Sequence, residues 1–235
     1  PTVDIVAIYD TLNRIKDDPY ALCVLNGDLM NTATRNGVSD VYGEVIPPME
    51  QITAMCKMLE PIKGKIVGVT GGNHEARVYK MDGIDMTRLV CRQLGIEDKY
   101  SPDGVLVFLR FGKRGGQSRH SDQVNAQWYS IYATHGSGGG RKEGAKAIRL
   151  ADMAAIVDAD VYIHSHTHLP MIFREAFFRV NVPTGSAALV DKLFVNTGAA
   201  LGYGGYGQQQ EYKPSSTSTP IITFDARNKR ATATL

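Results

Sequence analysis

Ile66-Val67-Gly68-Val69-Thr70-Gly71-Gly72-Asn73-His74-Glu75 is the stretch on which the fold turns. A short apolar run ending in glycines reads as a strand that stops abruptly, followed by polar residues able to bind a ligand. Upstream, Pro47-Pro48 opens a helix with Met49, Ile52, Cys56 and Leu59 on one face and Pro61 beyond its end. Before that, residues 20–25 read as a buried strand. Ile5, Ile8, Leu12 and Ile15 recur at helical spacing until Asp17-Asp18-Pro19. Downstream, a helix around residues 86–94 closes at Gly95, a residue suited to the left-handed cap. Helices and short apolar strands alternate, as in an α/β fold.

The second half is richer in strands, predicted at 105–111, 128–134, 161–163, 171–180, 193–196 and 221–224. One long helix is expected over 143–157, with Ala147, Leu150, Ala151, Ala154 and Val157 as its apolar stripe. Two packed sheets flanked by helices are therefore expected. Residues 112–127 and 202–220, rich in Gly, Ser, Arg, Tyr and Gln, read as loops.

With 235 residues, 43% of them hydrophobic, the chain has the length and composition of a single domain over 1–235. A formal charge of +2 neither demands a nucleic-acid partner nor excludes one. Cys23, Cys56 and Cys91 are odd in number, widely spaced and set among apolar neighbours, so they read as reduced core residues. No apolar run approaches the roughly 18 to 20 residues of a membrane helix, and no signal peptide opens the chain. A soluble cytoplasmic protein without a membrane partner is expected.

Four motifs stand at the ends of predicted strands, where α/β folds place their ligand sites: Asn26-Gly27-Asp28, Gly72-Asn73-His74-Glu75, His135-Gly136 and His164-Ser165-His166-Thr167-His168. They contain five of the six histidines; the sixth, His120, lies in the basic loop. A pair of divalent ions needs a bridging carboxylate, neutral imidazoles, a carbonyl oxygen and open positions for water and substrate. Asp28 supplies the carboxylate, Asn73 the carbonyl, and His135, His166 and His168 the ring nitrogens. Taken singly the motifs are weak, since a Gly-Asp pair is ordinarily a turn and alternate histidines on a strand ordinarily share a solvated face. Their order and joint occurrence carry the signal.

In that order, over residues 27–168, the chain resembles the calcineurin-like metallophosphoesterases. The resemblance implies a four-layer α/β/β/α sandwich of two mixed sheets and hydrolysis of phosphomonoesters or phosphodiesters. It also implies that Asp28 bridges two metals, that Asn73, His135 and His166 bind one of them, and that His168 binds the other. His74 would contact the phosphate and stabilise the transition state or protonate the leaving oxygen, with Glu75 supporting the ligands from behind. Ser165 stands where that family usually has glycine. The family's opening Asp-x-His motif is absent, since no histidine precedes His74; it is expected immediately before Pro1. Paired metals lower the pKa of a shared water, so no protein nucleophile is required. Manganese is the first expectation, with iron, zinc or magnesium also suited to such mixed ligands.

Asn31 and Arg77, each a few residues past a metal motif, are candidate substrate-binding groups; the alternative is a turn asparagine and a surface arginine. His164 reads as a packed strand residue and His120 as solvated. Arg110, Lys113, Arg114 and Arg119, with Arg141 and Lys142, could grip nucleic acid, which places phosphodiesterase or nuclease ahead of phosphomonoesterase. Their alternative is a solvated loop. A non-catalytic binding or scaffolding module is the competing class, supported by the missing motif. A structural zinc protein fails on the scattered cysteines.

Overall fold

The computed structural model describes residues 3–34, 41–112, 126–138, 140, 142–204, 208, 211, 213–214 and 216–235. Helix α1 (Ile5–Asp17) is capped by Asp4, whose carboxylate accepts from the Ala7 amide at 3.1 Å. It stops because Asp18 precedes a proline and takes an extended conformation. Asp18 then closes a turn, accepting from Tyr20 N through its side chain and from Ala21 N through its carbonyl. That turn removes residues 20–22 from the predicted strand, so β1 runs Cys23–Asn26.

Helix α2 (Pro48–Leu59) starts on Pro48, whose missing N–H costs nothing in a first turn. It buries Ile52, Cys56 and Leu59, whereas Met49, expected on that face, is exposed. Strand β2 (Ile66–Thr70) follows, then α3 (Glu75–Asp82), which no apolar periodicity announced. Helix α4 (Met86–Leu94) is capped by Asp85 and ends at left-handed Gly95, with Ile96 N returning to the Cys91 carbonyl. With β3 (Tyr100–Ser101), β1 and β2 form a parallel sheet of order β1-β2-β3.

Strands β4 (Val105–Phe111), β5 (Gln127–Thr134), β6 (Val161–His164), β7 (Met171–Asn181) and β8 (Ser186–Asn196) form a mixed sheet of order β4-β5-β6-β8-β7. Within it β5, β6 and β8 run parallel. The helical stretch expected over 143–157 is divided at Asp152 into α5 (Glu143–Ala151) and α6 (Met153–Ile156). Strand β8 begins seven residues before the predicted 193–196, held by pairing with β7 out to Asn181 and Ser186. A hairpin of β9 (Ile221–Phe224) and β10 (Ala231–Thr234) completes the chain's described strands.

Three apolar layers define an α/β/β/α sandwich. Leu12, Ile52, Cys56, Leu59, Val90 and Leu94 of the helices meet Cys23, Leu25, Ile66 and Val69 of the parallel sheet. Val24 and Val67, on its other face, meet Val107, Ile131, Val161, Ile163, Leu193 and Val195 of the mixed sheet. Leu150, Met153, Tyr162 and Phe194 close the third layer beneath α5 and α6. All three cysteines are free thiols. Among the described residues no helix is long and apolar enough to cross a membrane.

Candidate metal centre

The C-terminal ends of the parallel strands in both sheets meet along one edge, and Asn26 at the end of β1 ties them together. Its Nδ2 donates to the Thr134 carbonyl at 2.8 Å and the Ser165 hydroxyl at 2.7 Å, and its Oδ1 accepts from Thr70 at 3.1 Å. Its own carbonyl lies 2.7 Å from His135 Nδ1. The ends of β1, β2, β5 and β6 are thereby locked to one another.

The next two residues turn the chain into the site. Gly27 has φ 77°, and a Cβ there would lie 2.6 Å from both the Gly71 carbonyl and His135 Nδ1, so only glycine fits. Asp28 also has positive φ, at 52°. Gly72 packs against it so closely that a Cβ would fall 2.2 Å from Asp28 Oδ1 and 2.6 Å from Glu75 Oε2. Asp28 Oδ1 accepts from the His74 amide at 2.9 Å, which leaves Oδ2 directed at two rings, 3.1 Å from His135 Nε2 and 3.7 Å from His74 Nε2.

Four atoms converge here. Asn73 Oδ1 lies 3.0 Å from His135 Nε2 and 2.8 Å from His166 Nδ1, and Asp28, His135 and His166 place ligand atoms within 4.8 Å of one another. Because the Asn26 carbonyl can only accept, His135 Nδ1 carries a proton, and in the neutral ring Nε2 presents a lone pair to two oxygens. That repulsion is relieved by a cation at the centre, by protonating His135, or by turning the Asn73 amide so that its NH2 faces the rings. The donor set, one carboxylate, one amide oxygen and two imidazoles with a fixed tautomer, fits a divalent metal.

Burial by itself would raise the Asp28 carboxyl, but His135 and His74 hold it down at about 2. Burial likewise opposes charge on His135, yet the Asp28 carboxylate against it raises the ring above its ordinary value. His74 and His166 are lowered, burial first. His168 reaches the surface and is not part of the tight cluster, but surrounding protein still lowers it, and it feels the charges of Asp28, His166 and His74.

The other candidates fall into two groups. Glu75 is buried beneath Asp28, accepting from Met30 N at 3.0 Å while its Oε2 has no hydrogen-bond partner among the described residues. Arg77, one turn into α3, lies close enough to His74 to depress that ring further. Asn31 instead donates to Glu44, away from the cluster. His164 is buried in β6, its Nδ1 2.8 Å from Asn196 Oδ1, and it sits so close under Gly136 that a Cβ there would lie 2.0 Å from His164 Nε2. Of the basic residues, Lys113, Arg114, Arg119, Arg141 and also His120 lie outside the described residues, whereas Arg110 stacks over Trp128 at 5.7 Å.

Sequence reasoning missed Asn26 and Asn196 as organisers. Asn196 holds His164 through Oδ1, and through Nδ2 holds Thr167 Oγ1 at 2.9 Å and the Leu169 carbonyl at 2.6 Å, so it shapes the turn that presents His166 and His168. Thr32 was missed as well. A β-branched residue at φ 45°, fully buried, it donates to the His74 carbonyl at 2.7 Å.

No protein-family model matches the chain, and no curated protein does. Among solved structures, a single mutant of Vps29 from Entamoeba histolytica superposes with a TM-score of 0.43 at 14% identity, covering 92% of this chain and 76% of that one. A likeness of that degree adds nothing to what the geometry of the site says about chemistry.

Proposed function

We propose that this chain is a metal-dependent phosphoesterase of the calcineurin-like kind, with a diester favoured over a monoester as substrate. The observation that carries the proposal is the convergence of Asp28 Oδ2, Asn73 Oδ1, His135 Nε2 and His166 Nδ1 on one point. Asp28, Asn73, His135 and His166 would hold one divalent ion. Asp28 and His168 would contribute to a second, manganese being the first candidate and iron, zinc or magnesium the others. When bound, the metals supply an acidified water and positive charge for the phosphoryl oxygens.

The chain's own residues do the rest. His74 sits at the rim, half-buried, anchored by its amide on Asp28 and by its carbonyl on Thr32. With its pKa lowered, it would present a neutral N–H donor to a phosphoryl oxygen near pH 7, and Arg77 of α3 would add a cationic contact. Asn26 keeps the His135 tautomer fixed, so that Nε2 remains a ligand rather than a donor.

The test is metal content of the purified chain together with hydrolysis of bis-p-nitrophenyl phosphate and p-nitrophenyl phosphate in added manganese. Two metals per chain with turnover supports the enzyme, and the preferred ester separates diesterase from monoesterase. The second reading is a binding module that keeps a single ion. It is favoured by His168 standing outside the tight cluster, which leaves few ligands for a second ion. One metal without turnover on either ester supports that module.

A further inference from the structure

A second site adjoins the metal centre. Ser137, Gly138, Gly140, Lys146, Arg149 and Thr167 line a cavity of about 130 Å³ between the loop after β5 and helix α5. Two of its walls are continuous with the centre: Gly138 hydrogen-bonds His166 through its backbone, and Thr167 lies between His166 and His168.

The cavity is cationic, lined by Lys146 and Arg149. Lys146 Nζ donates to the Thr167 carbonyl at 2.8 Å, which leaves two of its three N–H groups to spend. Among the described residues no carboxylate lies within ion-pair distance of Lys146 or Arg149. Glu143, whose charge acts on Lys146, is itself paired with Lys213 at 2.7 Å. Burial lowers the Lys146 pKa, as expected of an ammonium without a full partner. The Arg149 side chain lies against Gly138, its Nε 3.6 Å from where a Cβ would stand, so the guanidinium extends along the cavity wall. Gly138 has φ 120°, a conformation that keeps this wall free of a side chain.

We infer that this cavity, through Lys146 and Arg149, binds a second phosphate group of the substrate while the first lies at the metal centre. The inference rests on the phosphoesterase reading and deepens it: the substrate carries at least two phosphates. The second could belong to the neighbouring nucleotide of a strand or to the other end of a small diphosphate. A mono-phosphate diester such as bis-p-nitrophenyl phosphate cannot use the cavity.

The experiment compares the full chain with Lys146→Ala/Arg149→Ala, and with Arg149→Gln alone, an exposed helix position whose change leaves the fold intact. In manganese, kcat/KM is measured on bis-p-nitrophenyl phosphate, on the dinucleotides dTpdT and pdTpdT, and on thymidine 5′-diphosphate. Separately, calorimetry follows inorganic phosphate binding to the chain without added metal. Charge-assisted contacts of this kind predict a loss of about tenfold or more on the two-phosphate substrates in the double variant, a smaller loss in Arg149→Gln, and less than twofold change on bis-p-nitrophenyl phosphate. Phosphate affinity should fall in parallel. Preference for pdTpdT over dTpdT identifies a strand as the source of the second phosphate, and preference for the diphosphate identifies a small molecule. If no ester turns over but phosphate binding still needs Lys146 and Arg149, the phosphoesterase reading fails and the anion site stands. Equal losses on all substrates, or no loss on any, with phosphate binding unchanged, overturn the inference.

Discussion

Asp28, Thr32, His166 and His168 all have positive φ, and among the described residues only one other non-glycine residue, Glu211, shares that conformation. Each costs of order 1–3 kcal/mol and persists only because its surroundings impose it. The strain is concentrated where ligand atoms must converge. Gly27→Ala tests that coupling: the Cβ meets the Gly71 carbonyl and the His135 ring, at a φ that alanine disfavours by about 1–2 kcal/mol before any clash. A drop in stability of at least about 2 kcal/mol in urea unfolding is expected, with weaker metal binding; an unchanged midpoint would mean that the strand end relaxes freely. His74→Ala addresses chemistry rather than fold. In the role proposed above its ring donates to the substrate and does not hold a metal, so turnover should fall about 10²- to 10³-fold while metal content stays constant. A parallel loss of metal would make His74 a ligand.

The elements differ in how well they could be read. Strand β6 was legible because both its faces are buried: Val161 and Ile163 enter the layer between the sheets, and Tyr162 enters the layer under α5 and α6. Helix α3 and the outer half of β8 were not, because neither carries a clear apolar period; the first is fixed by His74 and Glu75 at its start, the second by its pairing with β7. The cluster of Asp28, His135 and His166 was legible because such residue types are rare at strand ends. Asn26 and Asn196 were not, because their hydrogen bonds reach residues 134, 165 and 164, which only the fold brings near. A similar tertiary bond joins β6 to α6. The fully buried Tyr162 hydroxyl donates to the Val157 carbonyl at 2.7 Å and accepts from Ala159 N at 2.9 Å and Lys192 Nζ at 3.0 Å. Tyr162→Phe keeps the ring's stacking on Phe194 but strands those groups, so a loss of about 1–3 kcal/mol is expected. A loss below about 0.5 kcal/mol in denaturant titration would show water taking the hydroxyl's place.

For the whole molecule, the two sheets meet at a cluster of histidines, so folding is expected to depend on pH and, if the cluster holds an ion, on metal as well. Without metal, His74, His164, His166 and His168 all have lowered pKa values, burial being the first cause in each. The unfolded chain therefore takes up protons at about pH 6.5 while the folded chain does not, and stability falls as pH drops from there through the folded values. His135 works in the opposite sense: its pKa is raised, so its bond to Asp28 contributes below about pH 6.5 and is lost as pH rises through the folded value. Asp28, held at about 2, loses its contribution only as pH falls from about 3.9 to that value, well below the histidine window. Four lowered rings against one raised predict a lower urea midpoint at pH 5.5 than at pH 7.5 in chelator. A metal at 100 times its Kd adds about 2.7 kcal/mol, and because its imidazole ligands must be neutral, the increment should be larger at pH 7.5. His164→Gln separates the two effects, since His164 is buried beside Asn196 and is not among the proposed ligands. It should flatten the pH slope in chelator while leaving the manganese increment in place. An increment equal at both pH values would mean that the ion stabilising the fold is not held by the imidazoles of this cluster.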